Sequence, residues 1–249
     1  MQPAERHKMN ITANEISKRL QKMGDKEDAR FLQGFFKTGV GQYGEGDIFL
    51  GIRVPELRKL AKEYKALPLK EILSLLKSPY HEVRLFALIL FVNTFAQGDE
   101  TIQKKIYNLY LANTRYINNW DLVDLSAPNI VGAFLMERNR KPLYQLAKSK
   151  ILWERRIAVL ATFNFIKNNQ FADVLKIAGI LLQDKEDLIH KAVGWMLREV
   201  GKKDTACAES FLQKHCRTMP RTMLRYAIER FTPVKKHKFM NGEVKTTWK

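Results

Sequence analysis

The sequence predicts an almost entirely α-helical chain made of stacked helical pairs. Apolar residues recur at helical spacing nearly throughout, and no convincing alternating strand is present. Three helical segments also resemble one another: His81-Glu82-Val83-Arg84-Leu85-Phe86-Ala87-Leu88, Trp153-Glu154-Arg155-Arg156-Ile157-Ala158-Val159-Leu160 and Leu188-Ile189-His190-Lys191-Ala192-Val193-Gly194-Trp195. Matching Ala87, Ala158 and Ala192 spaces them by two units and one unit of a repeat of roughly 35 residues, the length of a helical pair. Such pairs cannot bury their apolar faces alone, so they pile into an α-solenoid with a concave surface long enough to hold a duplex.

In chain order, the segment from Lys37 to Asp47 breaks the pattern with four glycines at 39, 41, 44 and 46. No strand precedes it and no Gly-Lys-Ser/Thr ends it, so it reads as an ordered connecting loop rather than a phosphate cradle. Pro55 then opens a helix carrying Leu57, Leu60, Ala61 and Tyr64. Ser78-Pro79 opens the next, with Val83, Ala87, Leu90 and Phe91 on one face, and Gly98-Asp99 turns into a helix bearing Ile102, Ile106 and Leu109. Asn118 or Asn119 can cap a helix whose first turn holds Asp121, and Pro128 ends or kinks it. Pro142 starts another helix, the second and third repeat segments follow, and Gly201 marks a turn.

With 249 residues, 45% of them apolar, the chain can bury a full core. The expected organisation is a single solenoid domain over 1–232 followed by a basic, mobile tail over 233–249. Cys207 and Cys216 lack Cys-x2-Cys spacing and read as reduced thiols, while His190 and His215 have no metal-ligand or triad partners at recognisable spacing. No metal or organic cofactor is expected. Residues 1–10 are polar without the apolar core of a secretory signal, and the longest apolar run, 85–92, is far short of the ~20 residues that span a bilayer. The expectation is a soluble, cytoplasmic protein.

The formal net charge of +17, from 43 Lys and Arg against 26 Asp and Glu, is the other dominant feature. Residues 201–249 alone hold 12 basic side chains against 4 acidic ones. Neutralising phosphates is the commonest use of such an excess, so a nucleic acid is the expected partner. Into this basic chain is set Asn119-Trp120-Asp121-Leu122-Val123-Asp124. A carboxylate aimed at a bound polyanion costs energy unless it has a task there. Trp120 and Asp124, four residues apart, share a helix face, and the break at Pro128 leaves Asp124 near a cleft. Asp121 fits the simpler role of complementing the helix dipole.

Four segments together resemble one family: Gly44-Glu45-Gly46-Asp47-Ile48-Phe49-Leu50-Gly51-Ile52-Arg53-Val54-Pro55, Trp120-Asp121-Leu122-Val123-Asp124, Trp153-Glu154-Arg155-Arg156 and Ala192-Val193-Gly194-Trp195-Met196-Leu197-Arg198-Glu199. They look like the AlkD-type DNA alkylation repair glycosylases, in the right order over about 30–198. The resemblance implies a HEAT-like solenoid that removes N3- or N7-alkylated purines from duplex DNA without requiring base flipping; a solenoid of this length is expected to work as a monomer, beside the nucleoid. It implies Asp124 as the catalytic carboxylate, Trp120 and Trp195 as aromatic walls against the lesion's sugar, and Arg156 as a contact near the lesion phosphates. Arg58 and Arg198 fall where backbone contacts are expected. Asn119 stands where some relatives carry a second aromatic residue, and the chain beyond Cys207 matches nothing in the family pattern.

These residue types suit the chemistry. A cationic alkylpurine is already a good leaving group, so the difficulty lies at C1′, which gains oxocarbenium character that a fixed carboxylate stabilises. Indole faces attract such a cation. Other readings remain open on the residues alone: Arg156 can pair with Glu154 or cap a neighbouring helix, Trp195 can serve packing, and the whole chain can be a non-catalytic scaffold holding DNA, RNA or an acidic protein.

Overall fold

The computed structural model describes residues 11–243; residues 1–10 and 244–249, and the readings made on them, lie outside the described residues. Among the described residues there are fourteen α-helices and no strand, only an isolated bridge between Ile48 and Tyr80. The chain packs as two compact units, Met1–Ile102 and Gln103–Lys249, and the boundary falls inside helix α6 (Glu100–Ala112). No helix among the described residues is long and apolar enough to cross a membrane.

The first unit holds α1 (Ala13–Met23), α2 (Lys26–Phe35), α3 (Val54–Ala61), α4 (Leu69–Leu76) and α5 (His81–Gln97). Thr12 and Glu15 form a reciprocal capping box on α1, and Asp25 caps α2. Helix α5 is buried continuously from His81 to Phe91, all round its circumference, which makes it the interior helix on which α3 and α4 pack.

Three polar groups buried at the start of α5 fix the glycine-rich loop before α3. The Glu82 carboxylate accepts the backbone N–H groups of Leu50, Gly51 and Ile52 at 2.8, 2.8 and 3.3 Å. Asp47 is held by His81 Nδ1 at 3.0 Å and by Arg84 Nη2 at 2.6 Å. Gly51 lies at φ +85°, and a Cβ there would come within 2.0 Å of the Asp25 carbonyl oxygen, so the loop can lie this close to α2 only with glycine.

In the second unit, α7 (Trp120–Ala127) runs into a π turn (Pro128–Gly132), followed by α8 (Lys141–Leu146), α9 (Leu152–Lys167), α10 (Ala172–Ile180), α11 (Asp187–Lys203), α12 (Thr205–His215), α13 (Arg221–Ala227) and α14 (Pro233–Asn241). The order of packing is the order of sequence: α7 and the π turn lie on α9, α9 on α11, and α11 on α13, while α8 packs on α9, α10 on both α9 and α11, and α12 on α11. Close approach at two of these seams is bought by glycine: a Cβ on Gly132 would sit 2.2 Å from the Ala161 carbonyl oxygen, and one on Gly194 would sit 2.4 Å from that of Met223.

The repeat inferred from matching alanines has a side-chain counterpart. Arg84 and Arg155, separated like Ala87 and Ala158, each occupy the first turns of a long buried helix and turn back on the preceding loop. Arg84 Nη1 donates to the Ser78 and Pro79 carbonyls at 3.2 and 3.0 Å, and Arg155 Nη1 donates to those of Ser149 and Lys150 at 3.1 and 3.0 Å. Each also grips a carboxylate, Asp47 for Arg84 and Asp184 for Arg155.

The basic stretch from Pro233, expected as a mobile tail, is a helix through Asn241. Thr232 caps it, Phe239 is buried with its ring 5.4 Å from that of Phe231, and Gly242 ends it at φ +69°. Arg217 Nη2 and Arg221 Nη1 donate to the Gly242 and Met240 carbonyls at 2.9 and 2.6 Å. One apolar anchor and satisfied helix ends order a segment that its charge alone suggested was loose.

Removing the Glu82 carboxylate would leave three N–H donors unpaired, those of Gly51 and Ile52 buried and that of Leu50 partly so, at about 1–3 kcal/mol for each buried donor. Glu82→Ala is therefore expected to lower unfolding stability by about 3 kcal/mol or more in denaturant titration.

Candidate active site

Helix α7 begins with a cap that fixes its orientation. Asn119 is fully buried and its Oδ1 accepts the Trp120 N–H at 2.8 Å, while Asp121 takes the Leu122 N–H at 2.9 Å in the first turn. One turn on, Ser126 Oγ lies 2.5 Å from the Leu122 carbonyl oxygen and 2.8 Å from the Tyr110 hydroxyl, pinning the buried back of the helix. Pro128 cannot donate to the helical ladder, and the chain widens there into the π turn that Gly132 seats against α9. Asp124 thus projects from the last full turn before the widening.

Its carboxylate is met from α9 by Arg156. Arg156 Nε and Nη2 donate to Oδ1 and Oδ2 of Asp124, both at 2.8 Å, a two-point fork, and Nη1 donates to the Leu188 carbonyl of α11 at 2.6 Å. The guanidinium therefore joins α7, α9 and α11. Its side chain is 6% exposed, whereas that of Asp124 keeps 18%, so the arginine is the buried partner and the acid the one that reaches solvent. Burial pushes the Asp124 carboxyl above the ordinary carboxylate range; the Arg156 fork pulls against this, and the charge of Asp121 adds to it.

The structure places Arg156 behind the carboxylate, with the three bonds described all internal. The sequence reading had set it against a phosphate, or against Glu154. Glu154 instead accepts from Thr114 Oγ1 at 2.8 Å and Ser149 Oγ at 2.5 Å. The Asp124 pairing could not be read from the sequence because the partners lie 32 residues apart on different helices.

Trp120 and Trp195 are both partly exposed. Trp120 shares the α7 face of Asp124 at i, i+4 spacing. Trp195 stands two turns along α11 from Leu188. Its Nε1 donates to Glu199 Oε1 at 3.1 Å, and its ring lies 6.0 Å from that of Phe163, two turns along α9 from Arg156. Phe163 and Glu199 were not singled out in the sequence, although Phe163 is seven residues after Arg156 and Glu199 four after Trp195, spacings that signal a shared helix face. Arg198 pairs with Glu229, in the turn that follows α13. Arg58 is exposed on the last turn of α3 in the other unit. Among the described residues no group of three or more His, Cys, Asp or Glu side chains is arranged to hold a metal ion.

A family profile described as DNA alkylation repair enzyme matches residues 16–231. The chain belongs to the DNA alkylation repair enzyme family. Three solved structures of similar fold accompany this assignment. A protein of Enterococcus faecalis, described as a predicted DNA alkylation repair enzyme, matches at 18% identity with a TM-score of 0.66, covering 84% of this chain and 97% of its own. The smu.31 protein of Streptococcus mutans UA159 matches at 19% identity and TM-score 0.50, covering 88% of this chain and 98% of its own. AlkD2 from Streptococcus mutans matches at 20% identity and TM-score 0.50, covering 89% and 100%. No curated protein matches the chain. At these identities the likeness is one of fold, and in this repair-enzyme fold Arg156 joins α7, α9 and α11 of the second unit.

Loss of the fork would leave the acid buried without its counter-charge. Arg156→Ala is expected to move the Asp124 carboxyl pKa further upward, read by carbon-13 NMR titration of aspartate carboxyl groups against the wild-type protein. An unmoved resonance would mean that the guanidinium does not act on it.

Proposed function

We propose that this chain is a monofunctional DNA glycosylase of base excision repair, hydrolysing the N-glycosidic bond of cationic N3- or N7-alkylated purines in duplex DNA. The observation that carries this reading is a carboxylate that keeps solvent access while a buried arginine grips both its oxygens, on a helix face shared with a partly exposed tryptophan. The opening lets the carboxylate meet a ligand while the fork holds it in place. An acid that must face a substrate needs that opening.

In this reading the C1′–N bond breaks with its electron pair passing to the cationic purine, which leaves neutral. Asp124, oriented by the fork, stabilises the positive charge developing on the sugar. It also accepts the proton of the water whose oxygen bonds to C1′. Arg156 keeps the acid fixed in place and favours its charged form. Trp120 and Trp195 offer electron-rich faces to the sugar, at roughly 0.5–2 kcal/mol per contact. Arg58 and Arg198 serve the DNA backbone, and the net charge of +17 supplies the general attraction. The enzyme needs no metal or organic cofactor and works as a monomer in the cytoplasm, beside the nucleoid. A non-catalytic scaffold would use the same basic surface but has no need of an open carboxylate.

Release of 7-methylguanine or 3-methyladenine from alkylated duplex DNA is the decisive measurement. Asp124→Asn is expected to cut single-turnover release by about 10²-fold or more, in line with the loss of one preorganised electrostatic group, while DNA binding persists. Equal release by the variant would remove Asp124 from the chemistry, and no release by the wild type would favour the scaffold.

The raised carboxyl fixes the sign of the pH dependence. The charged form is the working form, so release is expected to fall on acidification, with a midpoint above the ~3.9 of a free aspartate. A rate flat down to that value would show that the charged carboxylate is not needed.

A further inference from the structure

We propose that Glu199 is a positioning residue for Trp195, one that holds the N–H edge of the indole aside so that a ring face is offered to the sugar of the lesion. Its part in base release rests on the glycosylase reading; the contact between the two side chains does not.

Trp195 and Glu199 stand four residues apart on one face of α11, and Trp195 Nε1 donates to Glu199 Oε1 at 3.1 Å. The acceptor is itself held. Lys202 Nζ donates to Oε1 and Oε2 at 2.7 and 2.9 Å, and the Glu199 side chain is only 13% exposed. A carboxylate braced in this way is a fixed point, unlike one that turns freely in water. Lys202 also offsets its charge, so an acid at this place adds little repulsion toward a bound polyanion. From α9, the Phe163 ring lies 6.0 Å from that of Trp195 at 44°. The indole is thus seated from two helices while it stays partly exposed.

Orientation matters because an aromatic ring is not electrically uniform. Its faces are negative and its edge is positive, and the indole N–H is a donor only. A sugar gaining positive charge is attracted by a face and repelled by the edge, so a ring free to turn would lose its contribution or reverse its sign. Binding the N–H to a carboxylate keeps the most positive point of that edge turned away. Of the two neighbouring rings, Phe163 already has Lys167 Nζ 4.6 Å from its centroid, whereas no cation lies over Trp195 among the described residues. Trp195 is the ring left to receive one.

The test reads two quantities: single-turnover release of 7-methylguanine from alkylated duplex DNA, and the Trp195 indole N–H signal in nitrogen-15 NMR, assigned by its absence from Trp195→Phe. Glu199→Ala is expected to shift the indole signal and to slow release by about two- to tenfold, the range of one cation–π contact, with duplex affinity retained. Glu199→Gln keeps an acceptor oxygen and is expected to restore both. In the Trp195→Phe background, which has a ring but no N–H, Glu199→Ala is expected to add no further loss. A full loss in that background would overturn the proposal, because Glu199 would then act through some other group. So would an unmoved indole signal or unchanged release in Glu199→Ala, or a Glu199→Gln as slow as Glu199→Ala, since charge rather than the hydrogen bond would then be what counts. The two readings fail separately. A shifted indole signal beside a wild type that releases no base sinks the glycosylase reading and leaves the contact standing. Release by the wild type beside an indole signal unmoved in Glu199→Ala sinks the Glu199 assignment alone.

Discussion

The site depends on one buried guanidinium. Arg156 grips both oxygens of Asp124 and also binds the Leu188 carbonyl, so three helices from successive layers meet on a single planar group. Withdrawing two charges from water costs several kcal/mol per ion, and mutual attraction repays this only where geometry is good and the remaining donors are satisfied. Here two bonds of 2.8 Å and one of 2.6 Å meet that condition. The same three bonds fix where the carboxylate points, because the plane of the fork allows it little freedom to turn.

Around that group the structure arranges close contact. Gly132 lets the π turn approach α9, and Gly194, next to Trp195, lets α11 approach α13, to distances that any side chain would forbid. The first unit secures its own glycine-rich loop differently, through charged side chains at the start of α5: Glu82 accepts from backbone N–H groups and Arg84 donates to the Asp47 carboxylate. In both units, buried polar groups hold loops and helix ends while apolar faces hold the helices together.

Much of this was legible in the sequence where the signal was local. The cap at Asn119, the first-turn acid Asp121, the shared face of Trp120 and Asp124 and the break at Pro128 all follow from spacing within ten residues. The matched alanines also located a real repeat, since Arg84 and Arg155 perform the same act at the same separation. What could not be read was anything set by contact between distant helices. The side of Arg156 that faces Asp124, the Phe163 ring beside Trp195 and the anchoring of α14 by Phe239 depend on which faces meet after folding. Charge counting misjudged the residues after Pro233 for the same reason: one buried ring outweighs several solvated lysines.

The widened turn at Pro128–Gly132 has a consequence of its own. A π turn accommodates one residue more than an α turn, and successive helical residues are separated by about 100° of rotation. The glycine end of the turn is seated on α9, so the extra residue acts as a phase shifter for everything before it. Among relatives of this chain, loss of a single residue here would restore a regular helix and swing the carboxylate by about a quarter turn, out of register with the arginine that holds it, while leaving every chemical group in place.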